Sequence, residues 1–397
     1  MLTTSELTIR ILLTIAVGFI ISFAATPIVK AFAQKVGAMD VPGEARRIHD
    51  HPIPRMGGLA IFLGFLLSVL LFVDIDRQLQ GILLGCVIIV ATGAVDDVIS
   101  LNAWIKLAFQ ILAASVAVLH GVKIEILANP AVWSATEYLT LGVFSIPITI
   151  IWIVGITNSV NLIDGLDGLA VGVSAISSLT MLVIALMVSD SSVAIVLAAL
   201  VGACIGFMPY NLNPAKIFMG DTGSLLLGYV LATMSILGLF KFYAVVSFAV
   251  PFLAIAVPLF DTVFAFFRRL LKGQSPMHPD RGHFHHRLID MGLNQKQAVA
   301  VLYSISGILG LAAVVITTSG EIKALILILG FCLCAFLWAF VYGKLHKTGT
   351  EENTSSITKS GTEISPDSKA APDAAPDAAT QEISDNAGCL EDKNETH

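Results

Sequence analysis

Long apolar runs, separated by short polar segments, fill the first 343 residues of the chain. Runs of about 17–25 apolar residues are long enough to cross a bilayer as helices. The pattern therefore predicts an all-α, polytopic integral membrane protein with about eleven transmembrane helices. The predicted spans lie near residues 9–29, 57–73, 79–95, 104–120, 139–157, 168–188, 192–209, 222–240, 242–262, 298–316 and 322–343.

Three of these boundaries depend on short signals. The break SDSS separates the spans 168–188 and 192–209, and GLFK separates 222–240 from 242–262. The first run has the length of a signal peptide, but the ATPIVKAF that follows it has no convincing cleavage site. We therefore expect the first run to be a retained transmembrane helix.

Composition and charge support this class and predict its orientation. The chain is 56% hydrophobic and 13% charged, whereas a soluble domain carries about 25% charged residues. Residues 30–56 hold five Lys or Arg and residues 267–297 hold six, while the loops on the opposite side hold one each, at Arg77, Lys123, Lys241 and Lys323. Since basic loops stay in the cytoplasm, we expect these loops and the C-terminus inside and the N-terminus outside.

Residues 344–397 differ from the membrane domain formed by residues 1–343. This tail is rich in Ser, Thr, Pro, Ala and Asp and carries five basic and eleven acidic residues. Such a segment lacks the apolar content needed for a packed core. We expect a disordered, acidic, cytoplasmic tail.

Truncation after Lys347 is therefore expected to leave specific activity within about twofold of the full chain, because a polar terminal segment buries little. The measurement is transfer activity per mole of properly inserted protein. A tenfold loss in a correctly inserted truncation would contradict this prediction.

Five carboxylates lie at the predicted inner ends of spans. Asp96 and Asp97 end one apolar run, Asp164 and Asp167 lie between two, and Asp221 begins another. Carboxylates are costly near a membrane interior and are usually functional there, and Mg²⁺ prefers such oxygen ligands together with substrate phosphates. Helix capping by Asp is the alternative, although it does not explain why all five fall on one side.

Asn158, Asn161, Asp164 and Asp167 are spaced by three residues. On a continuous helix this stripe would drift, so only neighbours would share a face. The glycines at 165 and 168 favour a break that exposes backbone donors to a phosphate. The alternative is a polar seam between two helices.

Three histidines lie close together in DRGHFHHRL, at His283, His285 and His286. They are candidates for holding a pyrophosphate or a transition metal, or they belong to a solvated basic loop. No matching His and Cys set occurs elsewhere, which disfavours zinc. The aromatic Phe218 beside Asp221 is a candidate for base stacking or for simple packing.

These segments together resemble the polyprenyl-phosphate N-acetylhexosamine-1-phosphate transferases. The resemblance covers residues from about 27 to 343. It includes, in order, PRMGGLA, DDVISLNAWIKLAFQ, NLIDGLDGLA, NLNPAKIFMGDTGSLLLG and HPDRGHFHHRL. The segments NLIDGLDGLA and FMGDTGSL are specific to the family, whereas the MGG at 56–58 alone is a weak signal.

The resemblance implies a reaction. A sugar 1-phosphate passes from a UDP-sugar to a membrane polyprenyl phosphate such as undecaprenyl phosphate, with release of UMP. The family uses Mg²⁺, for which Mn²⁺ is a candidate substitute. The implied setting is the bacterial inner (plasma) membrane with a cytoplasmic active site, so the bilayer is a partner and nucleic acid is not. A homodimer is one oligomeric state consistent with the family.

The resemblance also implies residue roles. Four acids match catalytic positions of the family. Asp96 and Asp97 match the paired acids near the acceptor phosphate, where Asp97 is a candidate base, and Asp164 and Asp167 match the acids of the nucleotide-sugar site. Asp221 matches the Mg²⁺ ligand, with Asn161 as a second candidate ligand. The matching substrate-binding positions are Asn158, Asn161, Asn211, Phe218, Lys106, His283, His285 and His286.

Two alternatives to this function stay open at this point. The related phospho-N-acetylmuramoyl-pentapeptide transferases have three consecutive histidines, whereas this chain has His-Phe-His-His, which favours the branch that uses UDP-N-acetylglucosamine or a related hexosamine donor. A transporter or flippase is the second alternative. It would place ionisable residues near the bilayer midplane and often show internal repeats, and neither feature is evident here.

Overall fold

The computed structural model describes residues 3–41, 51–128, 138–188, 190–238, 252–271 and 284–319, with the separate helical residues 323, 326–330 and 332. Within this part the protein is almost entirely helical. Its helices are α1 (Thr4–Val36), α2 (Gly58–Phe72), α3 (Arg77–Ile99), α4 (Ala103–Leu119), α5 (Ser145–Ile163), α6 (Leu169–Met187), α7 (Ser191–Asn211), α8 (Gly220–Gly238), α9 (Ala256–Leu271), α10 (Phe284–Asp290) and α11 (Gln295–Ser319).

The short polar segments between the apolar runs begin and end these helices. Thr3 and Glu6 form a reciprocal capping box at the start of α1. The carboxylates of Asp76 and Asp190 accept hydrogen bonds from backbone N–H groups in the first turns of α3 and α7. The polar breaks predicted as boundaries therefore work as local caps.

Seven of the described helices are long and apolar enough to cross a membrane, and the shorter α2 and α4 are also apolar. The prediction of an all-α polytopic membrane protein is confirmed. The break at SDSS is also correct, because α6 ends at Met187 and α7 begins at Ser191. Residues 242–251 of the predicted span 242–262 lie outside the described residues, as do most of the predicted span 322–343 and the acidic tail. The count of eleven spans and their orientation remain predictions.

Helix α8 lies at the centre of the bundle. It packs against α2, α3, α5, α6 and α7, and every residue from 222 to 238 is buried. Small residues allow this, because they let neighbouring backbones approach closely in a membrane. A side chain at Gly228, for example, would meet the backbone of Thr157 on α5. The central position of α8 places its first residue, Gly220, among the ends of its neighbours.

Two short antiparallel strand pairs lie between helices. β1 (Met39–Asp40) pairs with β2 (Ile53–Pro54), and β3 (Ile126–Ala128) pairs with β4 (Tyr138–Thr140). The backbone after β2 also pairs with the segment before α8, since Phe218 N donates to Pro54 O and Gly57 N donates to Phe218 O. This pairing joins the start of α2 to the start of α8.

Candidate active site

A polar pocket opens where the C-terminal ends of α3, α5 and α7 meet the N-terminal ends of α4, α6, α8 and α11. Its volume is about 470 Å³, within the usual range of small-molecule sites. Four of the five polar segments singled out in the sequence meet here or touch its wall. The lining residues are Asp40, His51, Ile53, Arg55, Asn161, Asp164, Gly165, Leu166, Asp167, Asn211, Asn213, Pro214, Ala215, Phe218, Gly220, Asp221 and Gln295.

Asp221, in the first turn of α8, lies between a cation and an amide. Its Oδ2 accepts a hydrogen bond from Lys106 Nζ at 2.9 Å, and its Oδ1 accepts from Asn161 Nδ2 at 3.1 Å. Lys106 Nζ also lies 3.2 Å from Asp96 Oδ2. One lysine thus neutralises part of the charge of two carboxylates that come from α3 and α8.

Asp97, at the end of α3, is bound to the beginning of α8. Its Oδ1 accepts from Asp221 N at 2.9 Å, and its Oδ2 accepts from Thr222 N at 3.1 Å and from Thr222 Oγ1 at 2.6 Å. Arg55 lies 3.5 Å away, and the Asp97 side chain has no exposed surface. The adjacent acids of the sequence therefore face different partners.

Asp164 lies in the pocket wall, in the turn between α5 and α6. Withdrawal from water, together with the negative charges of Asp221 and Asp97, raises the pKa of its carboxyl group to about 8. The site thus contains more carboxylate than its basic groups offset. Such an excess of hard oxygen donors suits a divalent cation.

The chemistry of these donors fits Mg²⁺ rather than a ligand-rich metal centre. Among the described residues, no three His, Cys, Asp or Glu side chains form a group able to hold a metal ion by themselves. Mg²⁺ does not require one, because it is usually bound by one or two carboxylates, substrate phosphates and water. Asp221 and Asp164 both line the pocket and can supply that smaller share.

The opposite wall of the pocket is held together by amide and carboxylate groups. Asp167 Oδ2 accepts from Asn213 Nδ2 and from Ala215 N, both at 3.0 Å. Asn213 also donates to Gln295 Oε1 at 2.7 Å. Asn211 donates to Ile217 O at 3.1 Å. These bonds fix the loop between α7 and α8, which carries Phe218 into the pocket wall.

The MGG segment at 56–58 brings α2 against this loop. A side chain at Gly57 would meet the ring of Phe207 and the carbonyl of Phe218, and one at Gly58 would meet the backbone of Gly223 at 2.1 Å. Only glycine allows this approach. The motif, weak as a sequence signal, is therefore required for the contact between α2 and α8.

Comparison with known proteins agrees with this geometry. Glycosyl transferase family 4 matches residues 79–239, from α3 to the end of α8. A protein of Bacillus subtilis, named a probable undecaprenyl-phosphate N-acetylglucosaminyl 1-phosphate transferase, is 42% identical over 317 residues, which are 79% of this chain and 87% of that protein. The chain belongs to glycosyl transferase family 4.

Two further relatives show how far the similarity extends. The decaprenyl-phosphate N-acetylglucosaminephosphotransferase of Mycolicibacterium smegmatis is 37% identical, over 74% of this chain and 79% of that protein. The undecaprenyl-phosphate alpha-N-acetylglucosaminyl 1-phosphate transferase of Escherichia coli K12 is 28% identical, over 83% and 91%. This member of family 4 is thus a glycosyl-1-phosphate transferase, and the resemblance seen in its motifs is confirmed.

Not every residue predicted for the family 4 site lines the pocket. Asp96, Asp97 and Lys106 are absent from the lining and contact Asp221 directly or through one another. Asn158 is not among the lining residues, and it pairs with the buried Gln110 of α4 while donating to Val154 O. The alternative of a polar seam between helices thus describes Asn158, whereas Asn161, one turn later, reaches Asp221. The seam aligns α4 with α5 and so brings Lys106 opposite Asn161.

The histidine loop can be placed only in part. His283 lies outside the described residues. His285 and His286 lie in α10, but the structure describes only their backbone. The predicted roles of all three histidines remain predictions. The chain resumes in the pocket at Gln295, the first residue of α11.

Several residues in or beside the pocket of this family 4 protein were not singled out from the sequence. Arg55 and Thr222 contact Asp97, while Asn213 and Gln295 form the bridge to Asp167. Arg55 immediately precedes the MGG motif and Thr222 follows Asp221, so proximity to the motifs was the available signal. Gln295 had none, because it lies 74 positions after Asp221 in the sequence.

Proposed function

We propose that the protein transfers N-acetylglucosamine 1-phosphate, or a related hexosamine 1-phosphate, from a UDP-sugar to undecaprenyl phosphate. An oxygen of the acceptor phosphate attacks the phosphorus that carries the sugar. The bond between this phosphorus and the bridging oxygen of the diphosphate breaks, and UMP leaves. The product is a polyprenyl diphosphate sugar, which begins the synthesis of a cell-envelope glycan.

The observation that carries this proposal is the arrangement around Asp221. A partly buried carboxylate, an ammonium group at 2.9 Å and an amide at 3.1 Å meet at the edge of a pocket of about 470 Å³. Lys106 and Arg55 can donate to the phosphates of the donor. The acceptor phosphate is already an anionic nucleophile, so positioning the two substrates supplies much of the rate enhancement.

Asp221 and Asp164 are the residues that would hold Mg²⁺ together with the donor diphosphate, and Asn161 would orient Asp221. The ion, when bound, would offset the charge of the diphosphate and of the leaving UMP. Asn161 Nδ2 donates to Asp221 Oδ1 at 3.1 Å and to Ser224 Oγ at 2.8 Å. These two bonds hold the carboxylate in one direction before any substrate arrives.

A second groove, which is apolar, is consistent with the proposal that the acceptor is a lipid. It has a volume of about 400 Å³ and is lined by Ile163, Leu169, Val257, Phe260, Asp261, Phe264, Arg287, Leu302, Ile305 and Leu309. Ile163 is the residue before Asp164, so the groove begins beside the polar pocket. An isoprenoid chain can occupy it while its phosphate faces the carboxylates. The exposed apolar side chains of α9, Phe260 and Phe264, face the same groove.

We further propose that the pocket opens to the cytoplasmic side of the bacterial inner membrane. The predicted orientation supports this, because the segments that form the pocket adjoin the two basic loops. The donor is then a soluble nucleotide sugar of the cytoplasm. The acceptor reaches the same site laterally from the bilayer.

The deciding experiment measures UMP release by purified protein supplied with undecaprenyl phosphate and a panel of UDP-sugars. We expect release with UDP-N-acetylglucosamine or a related UDP-hexosamine and none without acceptor. Release only with UDP-N-acetylmuramoyl-pentapeptide would support the other branch of the superfamily. Transport without UMP release from any donor would show that the protein is not a transferase.

His283→Ala is expected to lower kcat/KM for the UDP-sugar by about 10–150-fold, since a hydrogen bond to a charged phosphate contributes roughly 1.5–3 kcal/mol. The measurement is steady-state kinetics with donor varied at saturating acceptor. Added zinc should not restore activity. Stoichiometric zinc in active wild-type protein, lost in the variant, would instead establish a zinc site.

A further inference from the structure

The carboxylate of Asp97, which lies on α3, caps the N-terminal end of α8. We propose that Asp97 is a positioning residue that fixes the backbone from which Asp221 extends, and that it does not accept a proton from the acceptor phosphate. The proposal rests on the proposed function, because it concerns how Asp221 is presented to the diphosphate and its cation. It assigns the two adjacent acids, Asp96 and Asp97, to different tasks.

The hydrogen bonds of Asp97 show what the side chain does. Both carboxylate oxygens accept from the first turn of α8, through Asp221 N, Thr222 N and Thr222 Oγ1, at 2.6–3.1 Å. A helix N-terminus carries unpaired N–H donors and a partial positive charge. Asp97 therefore satisfies these donors with a full negative charge in a fully buried place.

The local sequence explains why another helix must supply this cap. Met219 precedes α8, and its thioether is not one of the side chains that cap helices. Gly220 has φ +70, and a side chain there would lie 2.4 Å from Asp97 Oδ2. Gly93 of α3 packs against the backbone of Asp221 and Thr222. The glycines thus bring α3 close enough for Asp97 to act as the cap.

This geometry disfavours a role for Asp97 as the general base. A base needs a lone pair within hydrogen-bond reach of the proton that it accepts. The Asp97 side chain has no exposed surface, and Arg55 lies 3.5 Å from its Oδ1. Asp97 is also absent from the residues that line the pocket, whereas Asp221, whose backbone it holds, is among them. A substitution at Asp97 should therefore affect activity by changing the orientation of the Asp221 side chain.

Two variants test the assignment. Asp97→Asn retains one acceptor oxygen but turns an N–H₂ group towards a donor of α8. Thr222→Val keeps Asp97 and its charge and removes only the 2.6 Å hydroxyl bond. For each, the half-saturating Mg²⁺ concentration is measured in the UMP-release assay and, without substrates, from the Mg²⁺-dependent rise in melting temperature. The dependence of kcat/KM on pH is recorded for both.

We expect half-saturating Mg²⁺ to rise by about tenfold or more in Asp97→Asn and by about threefold or more in Thr222→Val. The pH profile should keep its shape, and high Mg²⁺ should restore most of the activity. Loss of activity in Asp97→Asn with unchanged Mg²⁺ response and a lost pH limb would overturn the proposal. So would a normal Mg²⁺ response in Thr222→Val if Asp97→Asn does not fold.

The same measurements separate this proposal from the proposed function. A wild-type protein that shows the Mg²⁺-dependent thermal shift but releases no UMP would contradict the proposed reaction alone. An active wild type in which both variants keep the normal Mg²⁺ response would contradict only the role of Asp97.

Discussion

Replacement of Asp221 by Asn is expected to lower UMP release by about 10²–10³-fold or more, the scale observed when a preorganised charge-stabilising group is lost. The amide has the shape of the carboxylate but not its charge. It also leaves Lys106 with Asp96 as its remaining carboxylate contact in the described structure. The variant should still fold, because the cap from Asp97 binds the backbone of residues 221 and 222 rather than the Asp221 side chain.

A matched control is available in Asp190→Asn. Asp190 also lies at the start of a transmembrane helix, where it accepts from Val193 N, but it is absent from the pocket lining. The same chemical change there should leave turnover unchanged. Wild-type activity should be lost on chelation with EDTA and restored by Mg²⁺ or Mn²⁺. Full turnover in excess EDTA would refute the metal role assigned to Asp221.

The architecture was largely predictable because membrane spans have a simple physical signature. About twenty consecutive apolar residues suffice to identify a span, and polar breaks such as SDSS mark helix ends. Helix α8 is the least apolar of the long helices that the structure describes. Its buried Thr, Ser and Gly residues lower hydropathy but allow close packing. Hydropathy alone would therefore underrate the most buried helix of the bundle.

The candidate site was predictable in its composition but not in its pairings. The polar segments indicated which residues would meet, and Asp221, Asn161 and Lys106 are indeed in contact. No local pattern showed that Asp97 would cap α8, because that contact joins residues 124 positions apart. The sequence offers Asp221 itself as a capping residue. The helix is capped instead by an acid from another span.

Asn158 and Asn161 show why sequence spacing alone could not resolve roles. Both lie on α5, three residues apart, and both resemble family positions that bind substrate. One pairs with Gln110 in a seam between helices, and the other reaches the pocket. Three residues correspond to about 300° of helix rotation, so the two side chains leave the axis in directions about 60° apart. Which one meets the cavity depends on how α4 and α8 pack around α5.

Replacement of Asp164 by Asn is expected to abolish transfer while stabilising the metal-free protein at pH 8. Burial, together with the charges of Asp221 and Asp97, raises the pKa of Asp164 from 3.8 to about 8. A carboxyl group with a raised folded-state pKa stabilises the fold fully below its unfolded pKa, and this contribution is lost as pH rises towards the folded pKa. The neutral amide has no such loss. The carboxylate is thus kept at a cost in stability, which a bound cation would reduce.

Thermal unfolding in EDTA between pH 5 and pH 8.5 measures this effect. The wild-type melting temperature should fall across the range more than that of Asp164→Asn, with a gain for the variant at pH 8 of roughly 2–4 °C per kcal/mol of repulsion removed. Asp167→Asn is the matched control, because Asp167 accepts from Ala215 N and Asn213 and its replacement should give no gain. Added Mg²⁺ should raise the wild-type melting temperature more than that of Asp164→Asn. If Asp164→Asn is equally or less stable than the wild type at pH 8, repulsion between the ionised Asp164 and its acidic neighbours does not destabilise the fold.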